Sequence, residues 1–335
     1  MITTLLTREA DRYGSISLSA FYRRRAIRLL PPLLVTLALA AVVCWFGLIS
    51  GEIDARSLAS QIFFFSNYYN LYGPAHEGLG GTGVLWSLAV EEHFYLLFPL
   101  LFILLFRGAI GIRHIVALVV LVLVWRCARI ALWGADEWTI YFSSDTRIDS
   151  ILFGCLLALL EWRGFRLPEG RAAWLILAAA VCLLLPTFVV SSDFFRSTFR
   201  YSLQGLALMP FFFYAVHWPS ALPFRPLNWP IARRIGIYSY SIYLSHDVFI
   251  DALGRQGAST MAVLIVAGAL SVGYAALLHE LVEKPFRGMR SRTVGHPVQA
   301  GAAAGLVAAE RPSDDTLQPG RGAGTQPAFG RSRMP

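Results

Sequence analysis

Long apolar runs separated by short polar loops dominate the chain between residues 29 and 282. A helix needs about 20 apolar residues to cross a bilayer. We predict crossing helices at Leu29–Ile49, Val84–Phe106, His114–Leu132, Ile148–Trp162, Ala172–Val190, Arg200–His217, Ile235–Leu253 and Thr260–Val282. The pattern is typical of an all-α integral membrane protein, a polytopic helical bundle of about 8–9 transmembrane helices.

One apolar run does not fit this scheme well. Leu58–Leu71 is short and carries Asn67 and Asn70, so it is either a short span or a segment that enters the membrane and returns. In the first predicted span, Pro31 and Pro32 are expected in the first helical turn, where proline is tolerated.

Composition supports the membrane interpretation. Of the 335 residues, 56% are hydrophobic and 15% are charged, and the mean hydropathy is +0.55. A soluble domain has about 45–50% apolar and about 25% charged residues. A soluble enzyme, a disordered protein and a nucleic-acid-binding protein are therefore excluded, and the lipid bilayer is the first partner expected.

The net charge of +8 is concentrated at the two ends of the chain. Residues 1–28 hold six arginines against Glu9 and Asp11, and residues 283–335 hold a similar excess. If Leu58–Leu71 does not cross, the arginine-rich loops fall on one side through eight predicted crossings, which the positive-inside rule makes cytoplasmic. We therefore expect both termini in the cytoplasm and the protein in the cell inner membrane.

These observations divide the chain into three parts. Residues 1–28 are expected to form a truncated helix stub and a cytoplasmic Arg-rich segment, and residues 29–290 the transmembrane domain. Residues 291–335 are rich in Gly, Ala, Pro, Ser and Arg, which predicts a disordered tail. The four cysteines stand singly in apolar runs without a CxxC motif, so we expect packing residues and no metal site.

The densest group of polar residues opens the span at Val84–Phe106. Ser87, Glu91 and Tyr95 follow one another at helical spacing on one face, and Trp86 and Glu92 lie on neighbouring stripes. Ionisable residues inside a span are costly and usually functional. A partly desolvated carboxyl here is a candidate for proton transfer, whereas the alternative is an interfacial helix start with acids near its N-terminal dipole.

Two further groups contain candidate residues. Asp145 and Asp149 stand i,i+4 at the start of another span, with Arg147 available to a neighbouring helix; structural ion pairing is an equal alternative to catalysis. Tyr243 and His246 share a helix face, and His246 is a candidate proton carrier or an interhelical hydrogen-bonding group. Ser245-His246-Asp247 cannot act as a triad, because adjacent helical residues point in different directions.

An arginine cluster precedes the first predicted span, in Phe21–Arg28. Arg25 and Arg28 stand i,i+3, and planar guanidinium groups suit the phosphates of a nucleotide-bearing donor. The alternative is a topogenic signal without a ligand. Glu283–Arg287 is interpreted first as an interfacial stop after the last helix.

Together these strings resemble the acyltransferase family 3 membrane proteins, which O-acylate sugars and related acceptors. The similar segments are Phe21–Pro32 (FYRRRAIRLLPP), Leu85–Pro99 (LWSLAVEEHFYLLFP), Asp145–Leu160, Tyr238–His246 and Glu283–Arg287, in the family's order. The resemblance implies a multi-span bundle, an acyl-CoA donor such as acetyl-CoA, and a carbohydrate acceptor of the cell envelope or a secreted one. By the same resemblance Arg23 and Arg25 serve the donor, while Trp86, Ser87, Glu91 and Glu92 shape the transfer site.

The chain also departs from the family. Nothing matches the family's opening helix, which carries an Arg or Lys and a His thought to be catalytic; Met1–Leu6 resembles the last turn of such a helix. His93 stands where relatives commonly have Gln. Either the chain was cut or started late, or it has lost the principal proton carrier, which His93 or His246 would then replace.

The leading hypothesis is an enzyme that moves an acyl group, most simply acetyl, from acyl-CoA to a carbohydrate hydroxyl. A transporter or glycan-handling membrane protein, or a catalytically inactive truncated family member, is the alternative. The enzyme hypothesis faces one difficulty, since the topology predicts the Arg cluster and the Glu motif on opposite membrane faces.

Overall fold

The computed structural model describes residues 2–73 and 78–286, and this part is built from helices without a strand. The first helices are α1 (Ile2–Tyr13), α2 (Leu18–Trp45), α3 (Ala55–Ile62), α4 (Ser66–Tyr72), α5 (Leu85–Phe106), α6 (Ile112–Trp133) and α7 (Glu137–Phe142). They are followed by α8 (Ile148–Trp162), α9 (Arg171–Val189), α10 (Asp193–Ser197), α11 (Phe199–His217), α12 (Pro230–Arg255) and α13 (Thr260–Leu278). The all-α prediction is confirmed, while the tail predicted at 291–335 lies outside the described residues.

Helices long and apolar enough to cross a membrane are present in the described part. Five meet both criteria by length and composition: Leu18–Trp45, Leu85–Phe106, Ile112–Trp133, Arg171–Val189 and Thr260–Phe286. The remaining predicted spans are also helices, and Ile148–Trp162 has the predicted bounds. The number of crossings, about 8–9, stays a prediction.

The N-terminal region forms two helices, while the domain division predicted for residues 1–28 stays a prediction. α1 is a helix of three turns whose Leu6 and Ala10 are buried in the main core. Ser17 caps α2, accepting a hydrogen bond from the Ala20 N–H. The Arg-rich segment is therefore the first part of α2 itself, and the start predicted at Leu29 is wrong.

Pro31 and Pro32 lie in the interior of α2, not in its first turn as predicted. Each proline removes one backbone hydrogen bond from the helix. Polar side chains bind carbonyls around the gap: Tyr240 donates to the Leu29 carbonyl at 2.9 Å, and Thr36 to the Pro32 carbonyl at 2.8 Å. The apolar sequence around the prolines thus continues as one helix.

The ambiguous segment Leu58–Leu71 forms two short helices instead of one span. α3 and α4 are separated at Phe63–Phe65, where Phe64 has a φ of 58°. Asp54 caps α3 by accepting the Ser57 N–H at 2.7 Å, and this bond lowers the pKa of the Asp54 carboxyl. The break exposes Phe63 and Phe65 and turns the chain back toward α5.

The main core lies between α1, α5, α6 and α8. Its fully or nearly buried side chains are Leu6, Phe98, Phe102, Ile115, Leu152 and Leu159. α8 contacts α1, α5, α6 and α11, so it is the central helix of this half of the bundle. α12 packs against α13 and α2 and forms the other half.

A buried ion pair joins α6 to α8 inside this bundle. Arg126 donates to both carboxylate oxygens of Asp149, at 3.2 and 2.8 Å, and neither side chain is exposed to solvent. Ser202 of α11 donates to the same carboxylate at 2.8 Å. Charges enclosed in this way are costly unless they are paired, so the pair fixes the relative positions of three helices.

A glycine loop before α5 packs directly against α12. Gly81 has a φ of +69°, and a Cβ atom there would lie 2.3 Å from the Val248 Cα. Nearby, Asp251 accepts hydrogen bonds from the Ser50 N–H and hydroxyl at 2.7 and 2.9 Å. Only glycine permits both this backbone conformation and this approach.

α13 ends in a π-helical turn, His279–Glu283. The turn places Glu283 against α12, where it accepts a hydrogen bond from Ser241 at 2.6 Å. Its other oxygen lies 3.0 Å from His279 Nδ1. Glu283 therefore connects the last two helices, a role beyond the interfacial stop predicted for it.

Replacing the close-approach glycine should weaken the fold. We expect Gly81→Ala to lower the free energy of unfolding by about 1–3 kcal/mol, because φ is positive and the Cβ meets the α12 backbone. Gly83→Ala is the matched control, since nothing lies within 4 Å of its Cβ. Equal melting temperatures of the two purified variants would contradict this account of the loop.

Removing the buried carboxylate should be more damaging. We expect Asp149→Asn to cost about 3–5 kcal/mol, since Arg126 is left with an uncompensated buried charge. Asp145→Asn is the control, because the Asp145 side chain is 38% exposed. Thermal unfolding in detergent micelles compares them, and a smaller loss for Asp149→Asn would argue against the stabilising role.

Candidate active site

A cavity of about 210 Å³ lies between α2, α5 and the break that separates α3 from α4. Its walls combine apolar and tyrosine side chains with the guanidinium group of Arg25, the carboxylate of Glu92 and the imidazole of His93. The lining residues are Tyr22, Arg25, Ala26, Leu29, Leu30, Phe63, Phe64, Glu92, His93, Tyr95 and Leu96. The Arg-rich segment and the Glu motif of the sequence therefore meet at one cavity.

The contact between these two motifs is an ion pair. Arg25 donates to the Glu92 carboxylate, and its guanidinium group lies over the Tyr95 ring at 3.5 Å from the ring centre. Tyr22 adds a hydrogen bond to the Leu96 carbonyl at 2.7 Å. The expectation that the two motifs lie on opposite faces is thus wrong for Arg25 and Glu92, because α2 begins well before Leu29.

The two adjacent glutamates have different surroundings. Glu92 is half-buried and bound to Arg25, whereas Glu91 is exposed and makes no hydrogen bond within the described residues. Glu91 nevertheless interacts electrostatically with Arg25 and Arg28. The carboxylate of Glu91 is thus the one that remains available to a proton.

The other arginines of the predicted donor site are less engaged. Arg23 and Arg28 are exposed, and neither forms an ion pair in the described part of the chain. Arg24, by contrast, pairs with Glu9 at 2.8 Å and ties α2 to α1. Arg25 is therefore the one of the three predicted donor-binding arginines that lines the cavity.

Ser87 and Tyr243 are joined across α5 and α12, at 2.6 Å between their hydroxyl oxygens. Tyr243 donates its proton to the Val84 carbonyl. A tyrosine hydroxyl has one proton, so Ser87 is the donor in its bond with Tyr243. This chain of hydrogen bonds anchors the first turn of α5, one turn before Glu91.

Trp86 packs among the aromatic rings of α7. Its ring centre lies 4.6 Å from that of Tyr141 and 4.7 Å from that of Phe142. The indole N–H makes no hydrogen bond to any described residue. Trp86 thus brings an aromatic surface and a free donor next to Ser87.

His93 connects the cavity to the loop before α8. Its Nδ1 lies 2.7 Å from the Ser144 hydroxyl, which also accepts a hydrogen bond from Asn67 at 3.0 Å. Its ring stacks on Tyr68 at 5.9 Å. His93 is consequently fixed in orientation by two neighbouring segments.

Asp145 and Asp149 bind different partners. Asp145 lies in a short 3₁₀ turn and accepts hydrogen bonds from Trp125, Arg129 and Tyr68 at 2.6, 3.0 and 3.1 Å. Asp149 is enclosed with Arg126, so its geometry favours the structural alternative. The Arg147 side chain lies over the Tyr201 ring at 3.9 Å.

His246 is held within its own helix. Its Nδ1 donates to the Tyr243 carbonyl at 2.7 Å, and its ring lies 5.5 Å from the Tyr243 ring. Ser245 is buried and donates to the Ser241 carbonyl at 3.0 Å. Ser245 and His246 thus have separate partners, which confirms that this string forms no triad.

Three residues that contact the predicted site residues were not predicted from the sequence motifs. They are Arg126, which binds Asp149, Arg129, which binds Asp145, and Tyr201, which lies under Arg147. A signal for the arginines was present: they stand three residues apart inside an apolar span, where charged residues are rare. Each of these arginines forms an ion pair with either Asp149 or Asp145. Within residues 2–73 and 78–286 no group of three or more His, Cys, Asp or Glu side chains suits a metal ion.

Comparison with known proteins agrees with the motifs. The family profile described as "Acyltransferase domain" matches residues 2–280. The O-acetyltransferase OatA of Staphylococcus aureus strains NCTC 8325 / PS 47, COL and MRSA252 is 31% identical over 311 residues, covering 86% of this chain and 50% of the relative. The chain thus spans about half the length of these curated relatives, and no solved structure matches it.

The match extends over the Arg-rich start of α2 and the Glu motif, which line the cavity, and over the aspartate turn and most of the last helices. The chain therefore belongs to acyltransferase family 3.

Proposed function

We propose that the protein is a membrane-bound O-acetyltransferase, which moves an acetyl group from acetyl-CoA or another acyl-CoA to a hydroxyl of a cell-envelope or secreted carbohydrate. The observation that carries this proposal is the ion pair between Arg25 and Glu92 on the wall of the 210 Å³ cavity. It joins a guanidinium group suited to the donor with the motif suited to proton transfer.

The transferred group and the location have separate support. The relatives are named O-acetyltransferases, which favours acetyl over longer acyl groups. The apolar helices and the arginine-rich loops favour the inner membrane, with both termini in the cytoplasm. No observation on the described residues favours a transporter.

The reaction requires three functions of the protein. The acceptor oxygen attacks the thioester carbonyl carbon; a C–O bond forms and the C–S bond breaks. The hydroxyl proton passes to a base and then to the leaving thiolate, so CoA leaves as a thiol. A base, a donor clamp and a hydrogen-bond donor for the developing oxyanion are needed.

We assign the base to Glu91. Its carboxylate has no hydrogen-bond partner among the described residues, whereas that of Glu92 is bound to Arg25. Ser87 and Tyr243 hold the turn of α5 that precedes it, so they act as positioning residues. His93 and His246 are the alternatives, and His93 is the stronger because it lines the cavity.

We assign the donor clamp to Arg25, oriented by Glu92 and supported by the Tyr95 ring. Arg28 and Arg23 add positive charge along the exposed side of α2. For the oxyanion we assign Trp86, since the Tyr243 proton is already bound to a backbone carbonyl. The aromatic rings around Trp86 provide a stacking surface for an acceptor sugar.

The proposal is tested by acceptor-dependent release of CoA. Purified full chain in lipid nanodiscs is mixed with acetyl-CoA and de-O-acetylated envelope carbohydrate, and free thiol and ester-bound acetyl are both measured. Equal amounts of thiol and ester support transfer. If the carbohydrate stimulates no thiol release, the chain is not an acetyl-CoA-dependent transferase, and the transporter or inactive alternative is favoured.

Replacing the proposed base should remove turnover without removing binding. We expect Glu91→Gln to lower kcat by about 100- to 10,000-fold, the usual contribution of a general base, with little change in the KM for acetyl-CoA. His93→Gln is the matched control, since it places at position 93 the residue that the family resemblance predicts there. If His93→Gln loses turnover while Glu91→Gln retains it, the base is His93.

Weakening the clamp should act on the donor instead. We expect Arg25→Gln to raise the KM for acetyl-CoA by about 10- to 100-fold, the value of a hydrogen bond to a charged group. Glu92→Gln should shift KM in the same direction, because Arg25 loses its orientation. Arg23→Gln is the control with the same charge change, and an equal effect from it would indicate a general charge effect only.

A further inference from the structure

Three guanidinium groups surround one tyrosine at the start of α11. The centre of the Tyr201 ring lies 3.9 Å from the Arg147 guanidinium carbon, 5.2 Å from that of Arg200 and 5.4 Å from that of Arg126. We call these four residues the Tyr201 cluster. Tyr201 is only 4% exposed and Arg126 is fully buried, whereas Arg147 and Arg200 are half-buried.

The positive charges of the Tyr201 cluster exceed the negative charge that balances them. Asp149 is bound by both oxygens to Arg126 and also accepts a hydrogen bond from Ser202. Neither Arg147 nor Arg200 forms an ion pair with another residue of the described part. The cluster therefore carries more positive charge than its one carboxylate balances, and unpaired charge is costly in a buried environment.

Unsatisfied polar atoms point to the same conclusion. Arg147 Nη1, Arg200 Nε and the Tyr201 hydroxyl are buried and have no hydrogen-bond partner among the described residues. Buried polar atoms are nearly always hydrogen-bonded in native proteins. Several unsatisfied groups around one ring indicate a site that a ligand completes.

The Tyr201 cluster adjoins the aromatic surface at Trp86. Arg147 also lies over the Tyr141 ring at 5.1 Å, and Tyr141 contacts Trp86 at 4.6 Å. Trp86 is adjacent to Ser87, which anchors the first turn of α5, one turn before Glu91. A ligand held by Arg147 would thus lie on the acceptor side of the proposed transfer site.

We propose that the Tyr201 cluster binds an oxyanion of the acceptor, a carboxylate or a phosphate, with Arg147 as its principal contact. Arginine suits both anions, because its planar group donates two parallel hydrogen bonds. The inference rests on the proposed function only for the identity of the acceptor. It implies that the enzyme acetylates acidic carbohydrates in preference to neutral ones.

Binding of small anions tests the site without any acetyl transfer. The melting temperature of the full chain in nanodiscs is measured with methyl glucuronide, glucose 1-phosphate or neutral methyl glucoside, at equal ionic strength. We expect a saturable rise with one or both acidic sugars and none with the glucoside. The response of the two acidic sugars identifies carboxylate or phosphate as the preferred group.

Variants assign the response to the Tyr201 cluster. We expect Arg147→Gln to weaken binding of the acidic sugar about tenfold or more, the value of a lost charge-assisted hydrogen bond. Arg196→Gln is the matched control, because Arg196 is 41% exposed and pairs with Glu137 at 3.6 Å. If Arg147→Gln does not fold, Arg200→Gln provides the same measurement.

The inference is overturned if the wild-type chain responds equally to acidic and neutral sugars, or if Arg147→Gln and Arg196→Gln respond alike. A transfer assay then compares native acidic envelope carbohydrate with the same material after its carboxyl groups are reduced or its phosphates removed. Loss of acceptor activity after either treatment supports the site. Anion binding without any acetyl transfer would contradict the proposed function but leave the anion site standing.

Discussion

Charge inside an apolar helical bundle must be neutralised locally, and this constraint determines how the described part of the chain is assembled. Two ion pairs between helices of the described part differ in character. Arg126 and Asp149 are enclosed and joined by two hydrogen bonds, and the Asp149 carboxylate also accepts one from Ser202, so this pair is a stabilising contact. Arg25 and Glu92 are instead half-buried on the wall of a cavity. The pair of Arg126 and Asp149 therefore holds helices together, whereas the pair of Arg25 and Glu92 presents charge to a cavity.

Two adjacent residues of the Glu motif also differ in whether they are bound to another helix. Glu91 and Glu92 are neighbours in sequence, yet one is bound to α2 and the other has no hydrogen-bond partner among the described residues. The helix turn before them is held by the bond between Ser87 and Tyr243. A fixed backbone with one unbound carboxylate is the arrangement that proton transfer requires, since the base must be both positioned and available.

The apolar pattern predicted most helices because a continuous hydrophobic run has few alternatives in a membrane protein; α8 has the predicted bounds. It failed at α2, where arginines continue the helix before the apolar run begins. The apolar pattern also could not predict which residues of different helices contact one another. Helical spacing relates residues of one helix, whereas Arg25 and Glu92 are 67 positions apart, and their contact depends on where α2 begins. The roles of Asp145 and Asp149 diverge for the same reason, because α6 supplies a different arginine to each.

A charged residue without a partner is informative when the charged residues around it have one. Most charged side chains within the described bundle have a partner, and the ordinary rules of burial explain them. Glu91 lacks a hydrogen-bond partner, and Arg147 is stacked on tyrosine without a carboxylate. Proteins generally retain such costly groups where a ligand or a reaction uses them. Glu91 lies one turn after Ser87 in α5, and Arg147 approaches Trp86 through the Tyr141 ring, which lies between them. A transferase brings two different substrates together. Under the proposed function, Glu91 serves the proton transfer and Arg147 serves the acceptor.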